Sequence, residues 1–247
     1  MSIFKKEEEL RINAVAVIVC GGQSTRMKGI DKINLELEGL PLWAWSVLAF
    51  EKSERVSSVV LVTKEEDIGD FWSVVRELGL KKVRSIVRGG ATRQESVSKG
   101  FFEAKKLSEN GEDFDVIAIH DGARPFIKTE TIDQAVFESK LYGGSCVAIK
   151  SRDTVKVLGE GDFVKETLDR DKIILAQTPQ CFQFSLYEKA FNNALEEKKT
   201  YTDDCQLFEA MGRKVHITKG DSQNIKITTR EDLFLARGIF EAIREEP

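Results

Sequence analysis

The sequence predicts an α/β fold with a mainly parallel sheet and helices on both faces. Short β-branched runs alternate with longer amphipathic segments along the whole chain, the pattern of repeated β-then-α units. The strand-like runs are nearly all apolar, as strands covered on both sides must be. No internal repeat or low-complexity linker interrupts the 247 residues, a length that suits one domain with a substantial core.

The first strand is AVAVIVC (14–20), followed by a helix over 41–52. VSSVVLVT (56–63) and VRSIVR (83–88) read as strands, each followed by an amphipathic helix, over 65–79 and 92–108. FDVIAIHD (114–121) and SCVAIK (145–150) flank a helix over 129–141, where Thr129 precedes Thr131-Ile132-Asp133. KIILAQT (172–178) precedes helices over 184–197 and 203–211, and KVHIT (214–218) precedes a last helix over 229–243. That helix opens Thr229-Arg230-Glu231-Asp232, with acidic first-turn residues that suit the positive end of the helix dipole.

One segment breaks the rhythm. DTVKVLGEGDFVKETL (153–168) reads as two alternating strands around Gly-Glu-Gly-Asp, a β-hairpin. Its alternation puts Val155, Val157 and Phe163 where they need cover, with Val164 a further candidate. A lone hairpin is marginal in water, so it should pack on a second subunit or on the parent sheet; the pattern leaves both open.

Composition excludes several classes. There are 37 basic and 41 acidic residues, a net charge of -4, which argues against an electrostatic nucleic-acid binder. No apolar run reaches the roughly 18 residues of a membrane span, and the charged start MSIFKKEEELR lacks a signal-peptide core. Cys20, Cys146, Cys181 and Cys205 are widely spaced, and only His120 and His216 accompany them. Structural zinc is therefore not expected, and reduced thiols in a cytoplasmic protein are.

Four polar motifs fall at strand ends, where open parallel sheets bind ligands. In IVCGGQSTRMKG (18–29) the sequence fits neither the Walker loop nor G-x-G-x-x-G. Gly21 and Gly22 allow backbone N–H groups near an anion, Gln23 and Ser24 follow, and Arg26 could fork two phosphate oxygens. Lys28 and Lys32 add charge; the alternative is an ordinary turn with solvated bases. In VRGGATRQESV (87–97), Gly89-Gly90 and the Thr92 cap lead into a first turn with Arg93 and Ser96, which a helix N-terminus alone would explain. In IAIHDGARPF (118–127), Asp121 is a natural Mg²⁺ ligand, Arg124 offers a phosphate fork, and His120 is either a base or a satisfied strand-end histidine. LDR (168–170), AQTPQCF (176–182) and NIKITT (224–229) supply Arg170, Thr178 and Lys226. No Ser-His-Asp or Cys-His arrangement suggests a covalent nucleophile. Together these motifs make a two-part anion site.

The order Gly21-Gly22-x-x-x-Arg26-Met27, Gly89-Gly90 with Arg93 and Ser96, His120-Asp121-Gly122-Ala123-Arg124-Pro125, Asp153-Thr154-Val155-Lys156, Gln177-Thr178-Pro179-Gln180 and Asn224-Ile225-Lys226 resembles the 2-C-methyl-D-erythritol 4-phosphate cytidylyltransferase family. The resemblance spans roughly residues 13 to 243. It implies one Rossmann-like nucleotidyltransferase domain over 1–247, with 151–171 a protruding β-hairpin arm that helps form a homodimer. It implies that CTP and methylerythritol phosphate give the CDP-alcohol and pyrophosphate. Arg26, Lys32 and Thr178 would then be catalytic, and Gly21, Gly22, Gln23, Ser24, Gly89, Gly90 and Ser96 would bind nucleotide. Arg124, Thr154, Arg170 and Lys226 would bind the polyol phosphate, Thr154 and Arg170 from the partner's arm, and Asp121 would bind Mg²⁺. Ser24 stands where the family has its second glycine, and Asp31-Lys32-Ile33 replaces Pro-Lys-Gln one residue closer to Met27, which makes Lys28 a rival of Lys32. A ribitol 5-phosphate cytidylyltransferase and a non-catalytic nucleotide-binding regulator are the alternative readings.

Overall fold

The computed structural model describes residues 11–21, 35–197 and 199–245. The opening-loop residues Gly22, Gln23, Ser24, Arg26, Lys28 and Lys32 lie outside them. In chain order the elements are β1 (Ala14–Val19), β2 (Glu36–Leu37), β3 (Leu40–Pro41), α1 (Leu42–Lys52), β4 (Val56–Thr63), α2 (Ile68–Glu77), β5 (Val83–Arg88), α3 (Arg93–Glu109), β6 (Val116–Asp121), α4 (Thr129–Tyr142), β7 (Gly144–Lys150), β8 (Lys156–Leu158), β9 (Val164–Thr167), β10 (Ile174–Gln183), α5 (Phe184–Glu197), α6 (Cys205–Ala210), β11 (His216–Lys219) and α7 (Arg230–Glu245).

The main sheet has seven strands in the order β11-β7-β10-β6-β1-β4-β5. β6 lies at its centre, and β1 beside it runs parallel both to β6 and, on its other side, to β4. Every residue of β1 is buried, so its unbroken apolar run reflects cover on both faces. Alternation splits that cover in two. Ala14, Ala16 and Ile18 face Trp43, Val47 and Phe50 of α1 and Phe71 of α2. Val15, Val17 and Val19 face Val97 and Phe101 of α3 and Tyr187 and Phe191 of α5. At Gly100 of α3 a Cβ would collide with Val17 Cγ1, so glycine lets that helix close onto the strand. A third cluster, Leu37, Leu42, Phe126, Ile227 and Ala236, seats α7.

The expected strand over 172–178 begins and ends later than its sequence suggested, at Ile174–Gln183, and it is the one antiparallel member of the sheet. Its neighbours β6 and β7 both run against it, while β11 returns parallel to β7. Because of this reversal, the first half of β10, not its carboxyl end, lies beside the carboxyl end of β6.

The hairpin is present. β8 and β9 pair antiparallel around a turn that Gly159 N closes on Phe163 O at 2.8 Å. Its base is closed by Ser151 N donating to Ile173 O at 3.1 Å. Val155 and Val157 are half-buried, but Phe163 is 77% and Val164 59% exposed, so the parent sheet does not cover these two. All four cysteines are buried free thiols. Among the described residues no helix is long and apolar enough to cross a membrane.

Candidate active site

Asp121 ends β6, the central strand of the sheet, and is buried. Its two carboxylate oxygens face three cations. Lys226 Nζ lies 2.7 Å from Oδ2, Arg124 Nε 3.9 Å from Oδ2, and Arg93 Nε 3.3 Å from Oδ1. Burial alone would raise the Asp121 carboxyl, but Lys226, Arg93 and Arg124 together outweigh it and hold the group well below the usual carboxylate range. Asp121 is therefore a fixed anion in a net cationic setting.

Each cation reaches this point by a different route. Arg124 follows β6 after the turn Gly122-Ala123, and Ser46 Oγ in α1 fixes that turn by donating to Gly122 O at 3.2 Å and Arg124 O at 3.0 Å. A Cβ on Gly122 would come within 2.7 Å of Cys20 Sγ, so the turn needs glycine for space. Arg124 Nη1 donates to Asn224 O at 2.7 Å. Asn224 in turn donates from Nδ2 to Gln177 Oε1 at 3.2 Å and to Thr178 O at 3.1 Å, which ties the loop carrying Lys226 to β10. Ile227 N, hydrogen-bonded to Ala123 O at 2.9 Å, closes the other side.

Thr178 Oγ1 accepts from the Asp121 amide at 3.1 Å and sits 3.0 Å from His120 Nδ1. The hydroxyl thus meets both the Asp121 amide and the His120 ring from inside the fold. His120 is fully buried, and burial pushes it down to about 3. Of the two readings of His120, a base or a satisfied strand-end histidine, the low proton affinity disfavours the first, while Nε2 finds no hydrogen-bond partner among the described residues. The Thr178 hydroxyl is likewise committed inward, to the placement of Asp121.

Arg93, the first residue of α3, bridges two carboxylates: besides Asp121 it reaches Asp204 Oδ2 from Nη1 at 2.9 Å. Asp204 Oδ1 accepts the Tyr187 hydroxyl at 2.8 Å. The sequence placed Arg93 in a helix first turn and in the motif shared with the family, with no role assigned, and did not single out Asp204. A cation at a helix N-terminus opposes the dipole, so Arg93 did signal that an anionic partner was needed, but not which one.

Gly89, Gly90 and Ser96 form one loop beside this arginine. Gly89 N donates to Thr63 O at 2.7 Å, and Ser96 Oγ accepts from Gly90 N at 3.0 Å while donating to Thr92 O at 2.9 Å. Thr92 caps α3 by accepting from Glu95 N at 3.1 Å, and Glu95 Oε2 accepts from Ala91 N at 2.8 Å, a capping-box arrangement. Gly21 follows β1, with its N donating to Val62 O at 3.1 Å.

The structure thus joins Asp121, Arg124, Thr178 and Lys226 in one cluster. Thr154 and Arg170 sit exposed at the arm. Arg170 Nη1 donates to Arg152 O at 3.3 Å, and among the described residues no hydrogen bond or ion pair links either residue to Asp121. Asp221, the other carboxylate near Lys226, is paired with Lys128 at 2.7 Å. No group of three or more His, Cys, Asp and Glu residues among those described could hold a metal ion.

A two-face-covered sheet whose carboxyl edge carries one buried carboxylate ringed by cations defines a protein that handles phosphorylated ligands. The comparisons with known proteins narrow this class. The sequence model of IspD, 2-C-methyl-D-erythritol 4-phosphate cytidylyltransferase, matches residues 14–242. The enzyme of that name from Clostridium novyi is 38% identical over 231 residues, covering 93% of this chain and 97% of its own. Its counterpart from Caldanaerobacter subterraneus subsp. tengcongensis is 40% identical over 227 residues, covering 91% of this chain and 97% of its own. The crystal structure of 4-diphosphocytidyl-2C-methyl-D-erythritol synthase from Anaerococcus prevotii superimposes with a TM-score of 0.79 at 27% identity, covering 93% of this chain and 96% of that one. The chain belongs to the 2-C-methyl-D-erythritol 4-phosphate cytidylyltransferase family.

Proposed function

We propose that the chain joins CTP to 2-C-methyl-D-erythritol 4-phosphate, releasing pyrophosphate and the CDP-alcohol, in isoprenoid biosynthesis. The observation that carries this reading is the ring of Lys226, Arg124 and Arg93 around the buried Asp121 carboxylate, in a chain of this family. A phosphate monoester is already nucleophilic, so the site needs no activating base, and neutral buried His120 supplies none. The obstacle is electrostatic: two unit charges 4 Å apart at an effective dielectric near 20 repel by ~4 kcal/mol.

The site's own residues meet that obstacle. Arg124 and Lys226 receive the phosphate of the polyol, and Arg26 and Lys32 receive the triphosphate. The Gly89-Gly90 loop with Ser96, together with Gly21, Gly22, Gln23 and Ser24, lies against the nucleotide. Thr178 holds Asp121 through its main-chain amide, and attack at the α-phosphorus is in line, with the pyrophosphate leaving opposite. A divalent cation such as Mg²⁺ suits Asp121, because Mg²⁺ takes one or two carboxylates plus substrate phosphates. When bound it would offset charge on the phosphate oxygens. Lys226 and Arg93, which pair with the Asp121 carboxylate, would have to yield part of that pairing to it.

The arm fits an intersubunit role. Leu158, Phe163 and Val164 on the hairpin and Ile174 and Leu175 beside it are exposed apolar residues on one chain, and Thr154 and Arg170 lie on the same segment. A homodimer that buries the hairpin would bring both into the partner's site. A cytoplasmic setting, inferred from the unpaired cysteines, goes with this reading.

Pyrophosphate release is the direct test. CTP with 2-C-methyl-D-erythritol 4-phosphate should give turnover that UTP, ATP, or ribitol 5-phosphate in place of the polyol phosphate does not match. Equal or better turnover with ribitol 5-phosphate would reassign the substrate, and no CTP-dependent release with any polyol phosphate would remove the enzymatic reading.

A further inference from the structure

We propose that Asp204 is a positioning residue of the Asp121 site: from the interior it holds one end of the Arg93 guanidinium and so keeps Asp121 available to a divalent cation arriving with the nucleotide. The inference rests on the cytidylyl-transfer reading above.

Arg93 is shared unequally. Its Nη1 lies 2.9 Å from Asp204 Oδ2, whereas its Nε lies 3.3 Å from Asp121 Oδ1. Asp204 cannot follow the arginine, because it is anchored on three sides. Its Oδ1 takes the hydroxyl of Tyr187, which is fully buried. Its main-chain N, with that of Cys205, donates to Gln180 Oε1 at 2.9 and 3.2 Å. Gln180 is itself fixed by donating from Nε2 to Asp203 Oδ2 at 3.0 Å. The Asp204 side chain is 5% exposed, so water cannot replace the pairing if it is lost.

Removing one partner of a buried ion pair leaves the other charge uncompensated. Without the Asp204 charge, the one carboxylate among the described residues still in contact with Arg93 is Asp121. A cation at Asp121 would then have to displace a full arginine rather than a shared one. Asp204 thereby sets how strongly Asp121 competes for its incoming ligand, although it touches no substrate itself.

Asp204→Asn keeps the shape and an acceptor for Tyr187 while removing the charge. Binding of Mn²⁺ is followed by loss of the free-ion EPR signal, with and without CTP, and Mg²⁺ activation of pyrophosphate release is measured alongside. Asp204→Asn should weaken Mn²⁺ binding about tenfold, raise the half-activating Mg²⁺ concentration by a similar factor, and change kcat at saturating Mg²⁺ much less. Adding Arg93→Gln should restore Mn²⁺ binding towards wild type, as a double-mutant cycle requires of coupled residues. Tyr187→Phe, which keeps the charge but loosens its anchor, should shift the same way by about twofold and serves if Asp204→Asn does not fold. Equal Mn²⁺ binding in wild type and variants, with only stability changed, overturns the proposal, as does a wild type that takes up no Mn²⁺. A wild type inactive with CTP whose Mn²⁺ binding still depends on Asp204 would retire the cytidylyl-transfer reading while upholding the coupling of Asp204 to Asp121 through Arg93.

Discussion

His120 and Lys226 meet the same aspartate with opposite consequences. His120, held neutral by burial and pushed down to about 3, has an ordinary value near 6.5 once unfolded. The unfolded chain therefore takes up a proton as pH falls through about 6.5, the folded chain does not until about 3, and stability is lost between the two. At pH 5 this histidine should cost about 2 kcal/mol relative to pH 7. Urea unfolding of His120→Gln at both pH values should show lower stability at pH 7 but a smaller fall on going to pH 5; an unchanged fall would place the proton uptake elsewhere. Lys226 acts on activity instead. Among the described residues it is the nearest cation to Asp121, at 2.7 Å, and 40% exposed, so Lys226→Met should fold normally. By analogy with the loss of a transition-state donor, pyrophosphate release should fall roughly a hundredfold. Turnover near wild type with an unchanged unfolding midpoint would take Lys226 out of the reaction.

At the level of elements, α3 carries Arg93 into the site and depends on its cap. Thr92→Ala removes the acceptor for Glu95 N and should cost about 1 kcal/mol in a urea titration. Because Arg93 is the next residue, the kcat of Thr92→Ala should fall further than this loss of folded protein accounts for. The boundaries of most elements could be read from the sequence, since the apolar period is a local signal: the helices over 129–141 and 184–197 recur within a residue at Thr129–Tyr142 and Phe184–Glu197. The reversed direction of β10 could not, because Ala176-Gln177-Thr178-Pro179 carries no mark of which neighbour it will pair with. The same holds in the site. Asp121 and Arg124 stand three residues apart and read together, whereas Arg93 and Asp204 meet across 111 residues, a pairing that only the folded sheet creates. The hidden use of Thr178 has the same origin: its partners on β6 lie 57 and 58 residues away.

For the whole molecule, the open question is whether one chain completes the site. Arg170 and Thr154 stand apart from the Asp121 cluster within the chain, and the hairpin leaves Phe163 and Leu158 in water. Two individually inactive variants test this. Arg170→Ala mixed with Lys226→Met, unfolded and refolded together, should recover up to about a quarter of wild-type activity if each site draws on two chains, since a quarter of randomly formed sites then carry neither change. No recovery would mean that a single chain supplies both residues. Sedimentation velocity should show a dimer that Phe163→Asp weakens.

The chain leaves the main sheet at Lys150 and re-enters it at Ile174, and these two residues are partners on the same rung of the β7–β10 ladder. The arm therefore enters and exits through one doorway, and the core keeps its connectivity whatever is threaded between. Its length and sequence can drift, or be exchanged for those of a relative, without disturbing a strand that carries Asp121. A short turn across Lys150 and Ile174 is the limiting, armless form of the same core.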